Sequence, residues 1–179
     1  MAKPVNSREM ARGLRKPPQN VLTDAQINAL KCDIEAIGAD LRVFVFNDSV
    51  TVGTGYVSSL DLINVTGNVL PELNSEHPRD LMSARAVLAH EYYGHRPYRM
   101  IYLEEDVQID MSIKSKLAAL SWVDEFRASY IAAKISPGLS DDDKKYLIMD
   151  ALERAKEAGV TISHNRFIRR VLYGYDDGE

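Results

Sequence analysis

Three residues in the middle of the chain have types and spacing that could do chemistry: His90, Glu91 and His95, in the stretch Ala89-His90-Glu91-Tyr92-Tyr93-Gly94-His95-Arg96-Pro97. A histidine followed at once by glutamate, with a second histidine about a turn later, is how a zinc hydrolase is assembled. The imidazoles hold the metal, and the carboxylate takes a proton from the water it activates. Such motifs normally read His-Glu-x-x-His, whereas this one has an extra residue. Helical positions four apart lie roughly 40° from one another, and positions five apart differ by roughly 140°, so a regular helix would point the two rings to different faces. Convergence then needs one of two devices. A wide π-turn would realign His95 with His90. Alternatively, the helix ends at Gly94, with Pro97 pushing Arg96 out of helical geometry, and His95 swings back from an unwinding turn.

A third ligand is expected from the apolar stretch 117–135. There Glu125 shares a helix face with Ala118, Ser121, Ala128, Ser129 and Ala132. Small side chains let a neighbouring helix come close, so that a short carboxylate can reach a metal. Asp124 points elsewhere and is the reserve candidate. Glu104 and Glu105 suit the first turn of a helix, where negative charge complements the dipole, and stay open as further candidates. For the oxyanion of a hydrolytic intermediate, Tyr93 is favoured over Tyr92, Arg96 and Tyr98. His77 reads as a surface histidine and His164 as a polar residue in the first turn of the last helix.

The elements that must position these residues follow from periodicity and punctuation. Residues 1–20 form a basic arm (Lys3, Arg8, Arg12, Arg15 and Lys16 against Glu9), expected to be flexible and solvated. Residues 21–179 read as one domain. Thr23 or Asp24 caps a helix with Ile27, Leu30, Ile34 and Ile37 on one face, and Gly38 ends it. Val43 to Phe46 reads as a strand, and residues 50–70 as one or two more, bent at Gly53, Gly55 and Gly67. Ser83 caps the helix that carries the motif. Ser140 caps a helix running to Gly159, and Ser163 caps a last one holding Phe167, Ile168, Val171 and Leu172. Strands followed by helices give an α+β class: a small, mostly antiparallel sheet on the motif helix, with a largely helical C-terminal half.

Composition bounds the partners. A net charge of −4 over 179 residues leaves no footprint for nucleic acid. No apolar run approaches the ~20 residues of a membrane span, and no signal-peptide core is visible, so a cytoplasmic location is expected. Cys32 stands alone, which excludes an internal disulfide, and it reads as a buried helix residue.

The order of strands, a His-Glu helix and a glutamate-bearing helix resembles zincin-type metallopeptidases, closest to the ImmA/IrrE type. In those, the second helix follows a Glu-x-x-Ala-Asn-x-Phe-Ala-Ala pattern and ends a few residues later in proline. The chain has Glu125-Phe-Arg-Ala128-Ser129-Tyr-Ile131-Ala132-Ala133, then Pro137. Ser129 stands where the family has asparagine. The longer His-Glu-x-x-x-His spacing also occurs in TldD-type metallopeptidases. Over residues 83–137 the resemblance implies a zincin-like fold, Zn2+ on His90, His95 and Glu125, Glu91 as general base, and a protein or peptide substrate. The alternative is a zincin-shaped metal-binding or regulatory module without proteolysis.

Overall fold

The computed structural model describes residues 15, 18, 20–97 and 121–175. Most of the arm, Tyr98, Glu104, Glu105 and Ala118 lie outside them. The first helix, α1 (Asp24–Ala36), opens on a capping box: Thr23 Oγ1 accepts from Gln26 N, and Gln26 Oε1 accepts from Thr23 N. Leu30, Ile34 and Ile37 are buried along its inner face. Gly38, at φ +65°, turns the chain out of the helix in a left-handed conformation that a side chain would resist. Cys32 is exposed rather than buried. It lies roughly 200° around the helix from Leu30, on the opposite face.

Three short strands follow: β1 (Phe44–Phe46), β2 (Gly55–Val57) and β3 (Leu62–Val65), in the order β1-β3-β2. β2 is antiparallel to β3, with Tyr56 opposite Ile63, but β1 runs parallel to it, with Phe44 opposite Ile63. The sheet is therefore mixed rather than mostly antiparallel. The long excursion after β1 carries the chain across before β2 and β3 form a hairpin, and that crossover makes β1 and the central β3 parallel.

After a 3-10 turn (Gly67–Val69) and the short α2 (Pro78–Leu81), Ser83 caps α3 (Ala84–Ala89) by accepting from Ala86 N. Ala86, Val87, Leu88 and Ala89 are all buried. Four consecutive apolar residues face every side of a helix and must be covered on every side, and α1, the 3-10 turn and two later helices cover this stretch. Those helices are α4 (Ser121–Ile135) and α5 (Asp141–Glu157). A last helix, α6 (Arg166–Tyr173), packs on α5. Asn165, not Ser163, caps α6. Its Oδ1 accepts from Ile168 N while its Nδ2 donates to Tyr130 Oη, a tertiary bond that selects this start. His164 accordingly precedes the helix and stacks on Tyr173.

The end of the arm departs from the solvated expectation. Arg15 is buried, its guanidinium donating to the carbonyls of Asn68, Val69, Leu70, Arg79 and Met82. The chain reaches that socket across Gly67, where a Cβ would stand 1.9 Å from Asn20 O. Among the described residues, no helix is long and apolar enough to cross a membrane.

Candidate metal centre

α3 does not stop at the motif. It widens into a π-turn from His90 to His95, where Arg96 N donates to the carbonyl of Glu91, five residues back. The wide turn absorbs the extra residue of the His-Glu-x-x-x-His spacing. The imidazoles consequently face each other, ring centroids 4.7 Å apart and nearly perpendicular.

Gly94 matters here for a reason other than bending. A Cβ on it would lie 2.5 Å from Ala128 O and 2.6 Å from Ala128 Cα. Glycine on one element and alanine on the other let the π-turn and α4 approach closely. That approach brings Glu125, one turn before Ala128, onto the histidines. His90 Nε2 and His95 Nε2 are 3.0 Å apart, His90 Nε2 is 3.3 Å from Glu125 Oε2, and His95 Nε2 is 3.5 Å from Glu125 Oε1.

Those separations can be tested against a metal. Ligands at about 2.0–2.2 Å in a tetrahedron stand roughly 3.3–3.6 Å from one another. Each imidazole stands at that separation from one oxygen of Glu125, His90 from Oε2 and His95 from Oε1, with the His–His edge slightly short, and one donor atom from each residue lies within 4.8 Å of the other two. The donor set of two imidazoles and a carboxylate suits a divalent ion of zinc's kind. Glu125 Oε2 is buried and makes no well-formed hydrogen bond among the described residues, with His90 Nε2 at 3.3 Å and Arg154 Nη2 at 3.4 Å as its nearest charged neighbours. The residues present fit a metal.

Both histidines are held from behind. His90 Nδ1 lies 2.9 Å from Ser129 Oγ, whose hydroxyl donates to Asp150 Oδ2 at 2.8 Å. With that proton spent on Asp150, Ser129 accepts from His90 Nδ1–H, leaving the Nε2 lone pair to face inward. His95 Nδ1 stands 3.3 Å from Asp124 Oδ2, with the same result. Asp124 thus orients His95 and is not itself part of the His90–His95–Glu125 cluster, and it is met by Arg127.

Burial works against charge throughout the site, but the partners decide the outcome. For His95, hydrogen bonds to Asp124 and Glu125 and the charge of Glu91 outweigh burial and raise its pKa well above the ordinary histidine value. For Glu125, burial is overcome by hydrogen bonds from His90 and His95 and by the charge of Arg154, so its carboxyl stays well below the usual range. Two imidazole nitrogens 3.0 Å apart cannot both present lone pairs to each other, so a shared proton or a cation must lie between them.

Glu91 differs. It is buried beside His90, His95 and Glu125, and burial pushes its pKa up despite the two histidines. Its Oε2 accepts from the main-chain N–H of Tyr56 at 2.8 Å, so β2 holds the carboxylate in place.

Tyr93 is not brought to this cluster. Its hydroxyl donates to Ile37 O at 2.6 Å, because the ring packs against the end of α1. Tyr92 Oη accepts from Asp40 N, and Arg96 is clamped by both oxygens of Asp61. His77 is exposed and takes no part. Sequence reasoning missed Asp150 and Arg154, although an acid among Leu147, Ile148 and Ala151 on a buried helix face was a visible signal. It also missed the N–H of Tyr56, which no side-chain pattern encodes. No protein-family model, no curated protein and no solved structure matches the chain.

Proposed function

We propose that the chain is a zinc-dependent peptidase of the zincin type, with His90, His95 and Glu125 as the metal-holding residues. The observation that carries this reading is the π-turn, which converts a spacing unfit for chelation into a convergent Nε2 pair facing Glu125. When bound there, zinc would polarise the scissile carbonyl and make a coordinated water acidic near neutral pH.

Glu91 supplies the proton transfers. It takes a proton from the attacking water as the C–O bond forms, then returns it to the leaving nitrogen as the C–N bond breaks. A carboxylate with a raised pKa is the better base for that task at neutral pH. The Tyr56 N–H keeps one oxygen engaged, so the other is left to face the reacting centre. Among the described residues β2 pairs with β3 on one side only, and its Tyr56 N–H points to Glu91. An extended peptide substrate could lie along β2 as an added strand.

One observation favours a second reading, a metal-binding module of the same fold without proteolysis. Tyr93, the expected oxyanion donor, is committed to Ile37. Glu91→Gln separates the two. As a peptidase, the variant retains zinc and loses cleavage by about 10²–10⁴-fold, the usual worth of a general base. As a module without proteolysis, wild type binds zinc and shows no chelator-sensitive cleavage of any peptide pool. Wild-type protein purified without zinc, and unable to take it up, would sink both.

A further inference from the structure

The buried charges of α5 have no role in the chemistry above, yet they reach the ligands from behind. Asp150 is fully buried and Arg154, one turn on, nearly so. Arg154 Nε donates to both oxygens of Asp150, at 3.1 and 3.0 Å. An Asp–Arg pair four residues apart on a helix normally sits in water. This one is inside, and each member has a further contact. Asp150 Oδ2 accepts the Ser129 hydroxyl that holds His90, while Arg154 Nη2 stands 3.4 Å from Glu125 Oε2. Neither Arg154 Nη2 nor Glu125 Oε2 makes a well-formed hydrogen bond among the described residues, and the same oxygen stands 3.3 Å from His90 Nε2. Arg79 also reaches Asp150, with Nε 3.5 Å from Oδ1, and the buried charge of Arg15 acts on it from farther away.

We infer that Asp150 and Arg154 are a single positioning pair for the metal centre, setting His90 through Ser129 and Glu125 through the guanidinium. The inference rests on the metal-site reading. Asp150 acts on proton placement: as an acceptor it draws the Ser129 proton, and so keeps the His90 proton on Nδ1 and the Nε2 lone pair toward the centre. Arg154 acts on geometry. It balances the buried charge of Asp150 and draws Glu125 Oε2 to the α5 side of the site, so the carboxylate meets the imidazoles in one orientation. One helix that touches no metal thereby fixes ligands contributed by two others.

Co2+ is the probe, added to the metal-free full-length chain, with affinity read by chelator competition and geometry by the visible absorption band. Ser129→Ala, Asp150→Asn and Arg154→Gln are compared with Leu147→Val, which disturbs the same buried helix face without touching the network. Each network variant is expected to lose about 10–100-fold in Co2+ affinity and to shift or weaken the band. Leu147→Val should lower the melting temperature and leave both unchanged. Wild-type affinity and spectrum in Ser129→Ala would overturn the inference, as would an equal loss in Leu147→Val. Should Asp150→Asn or Arg154→Gln fail to fold, Ser129→Ala decides alone, since it leaves the ion pair intact. Absence of Co2+ binding by wild type is a different result: it removes the metal-site reading, and this inference with it.

Discussion

Replacing Gly94 with alanine tests whether close approach of two elements makes the site. The added Cβ would sit 2.5 Å from Ala128 O, 2.6 Å from Ala128 Cα and 2.7 Å from Ala128 Cβ. Ordinary contacts between carbon atoms fall at about 3.5–4.0 Å, so relief needs a separation of roughly 1 Å. The obstruction is the backbone of α4 and not the tip of a flexible side chain, so the elements themselves must part. Overpacking of this kind costs about 1–3 kcal/mol, which for a chain of this size lowers the melting temperature by about 2–12 °C. The functional effect should be larger than the stability effect suggests. Glu125 and Ser129 flank Ala128 on α4, so the same displacement would carry them off His90 and His95, now 2.9–3.5 Å away. A drop of at least 10-fold in zinc affinity is expected, by analogy with the loss of an orienting contact. Gly55→Ala is the control, because a Cβ there meets nothing within 4 Å. Differential scanning fluorimetry and chelator-competition titration read the two quantities. If Gly94→Ala bound zinc like wild type and melted at the same temperature, close packing would not be what assembles the centre.

Other perturbations separate the remaining claims. Arg15→Ala should destabilise the fold by about 2–4 kcal/mol in urea titration, since a buried charged donor leaves five carbonyls unsatisfied; no change would mean that the socket is solvated. Tyr93→Phe should cost about 1 kcal/mol from the lost bond to Ile37 and leave cleavage near wild type, whereas a fall of about 10²-fold would return Tyr93 to the oxyanion. The metal-free protein should lose stability as pH rises. Folding raises the pKa of His95, so its contribution is complete below about pH 6.5 and disappears as pH climbs through the raised folded value. Glu91, also raised, acts in the same direction, because its folded form holds the proton more tightly than the unfolded chain does. Zinc displaces the His95 proton, so the loaded protein should lack this alkaline decline. Melting temperatures from pH 6 to 9, with and without zinc, give the comparison, and a metal-free curve rising over that range would contradict the signs.

The sequence by itself singled out the candidate residues. His90, Glu91 and His95 stand out by type, and the small residues around Glu125 announce a helix made for close contact. α1, α3, α5 and their caps at Thr23, Ser83 and Ser140 follow from local hydrogen bonding, which operates within a few residues and is therefore written in order along the chain. The choice between a π-turn and a helix end could not be made that way, because both satisfy the same local spacing. Packing against α4 goes with the wide turn, and Gly94 is needed for that contact. The parallel pairing of β1 with β3, the use of Tyr93 on Ile37, the burial of Arg15 and the reach of Asp150 and Arg154 to the ligands were likewise left to tertiary structure. Each depends on groups separated by 19 or more residues, and a one-dimensional pattern does not record which distant carbonyl or carboxylate will lie within reach.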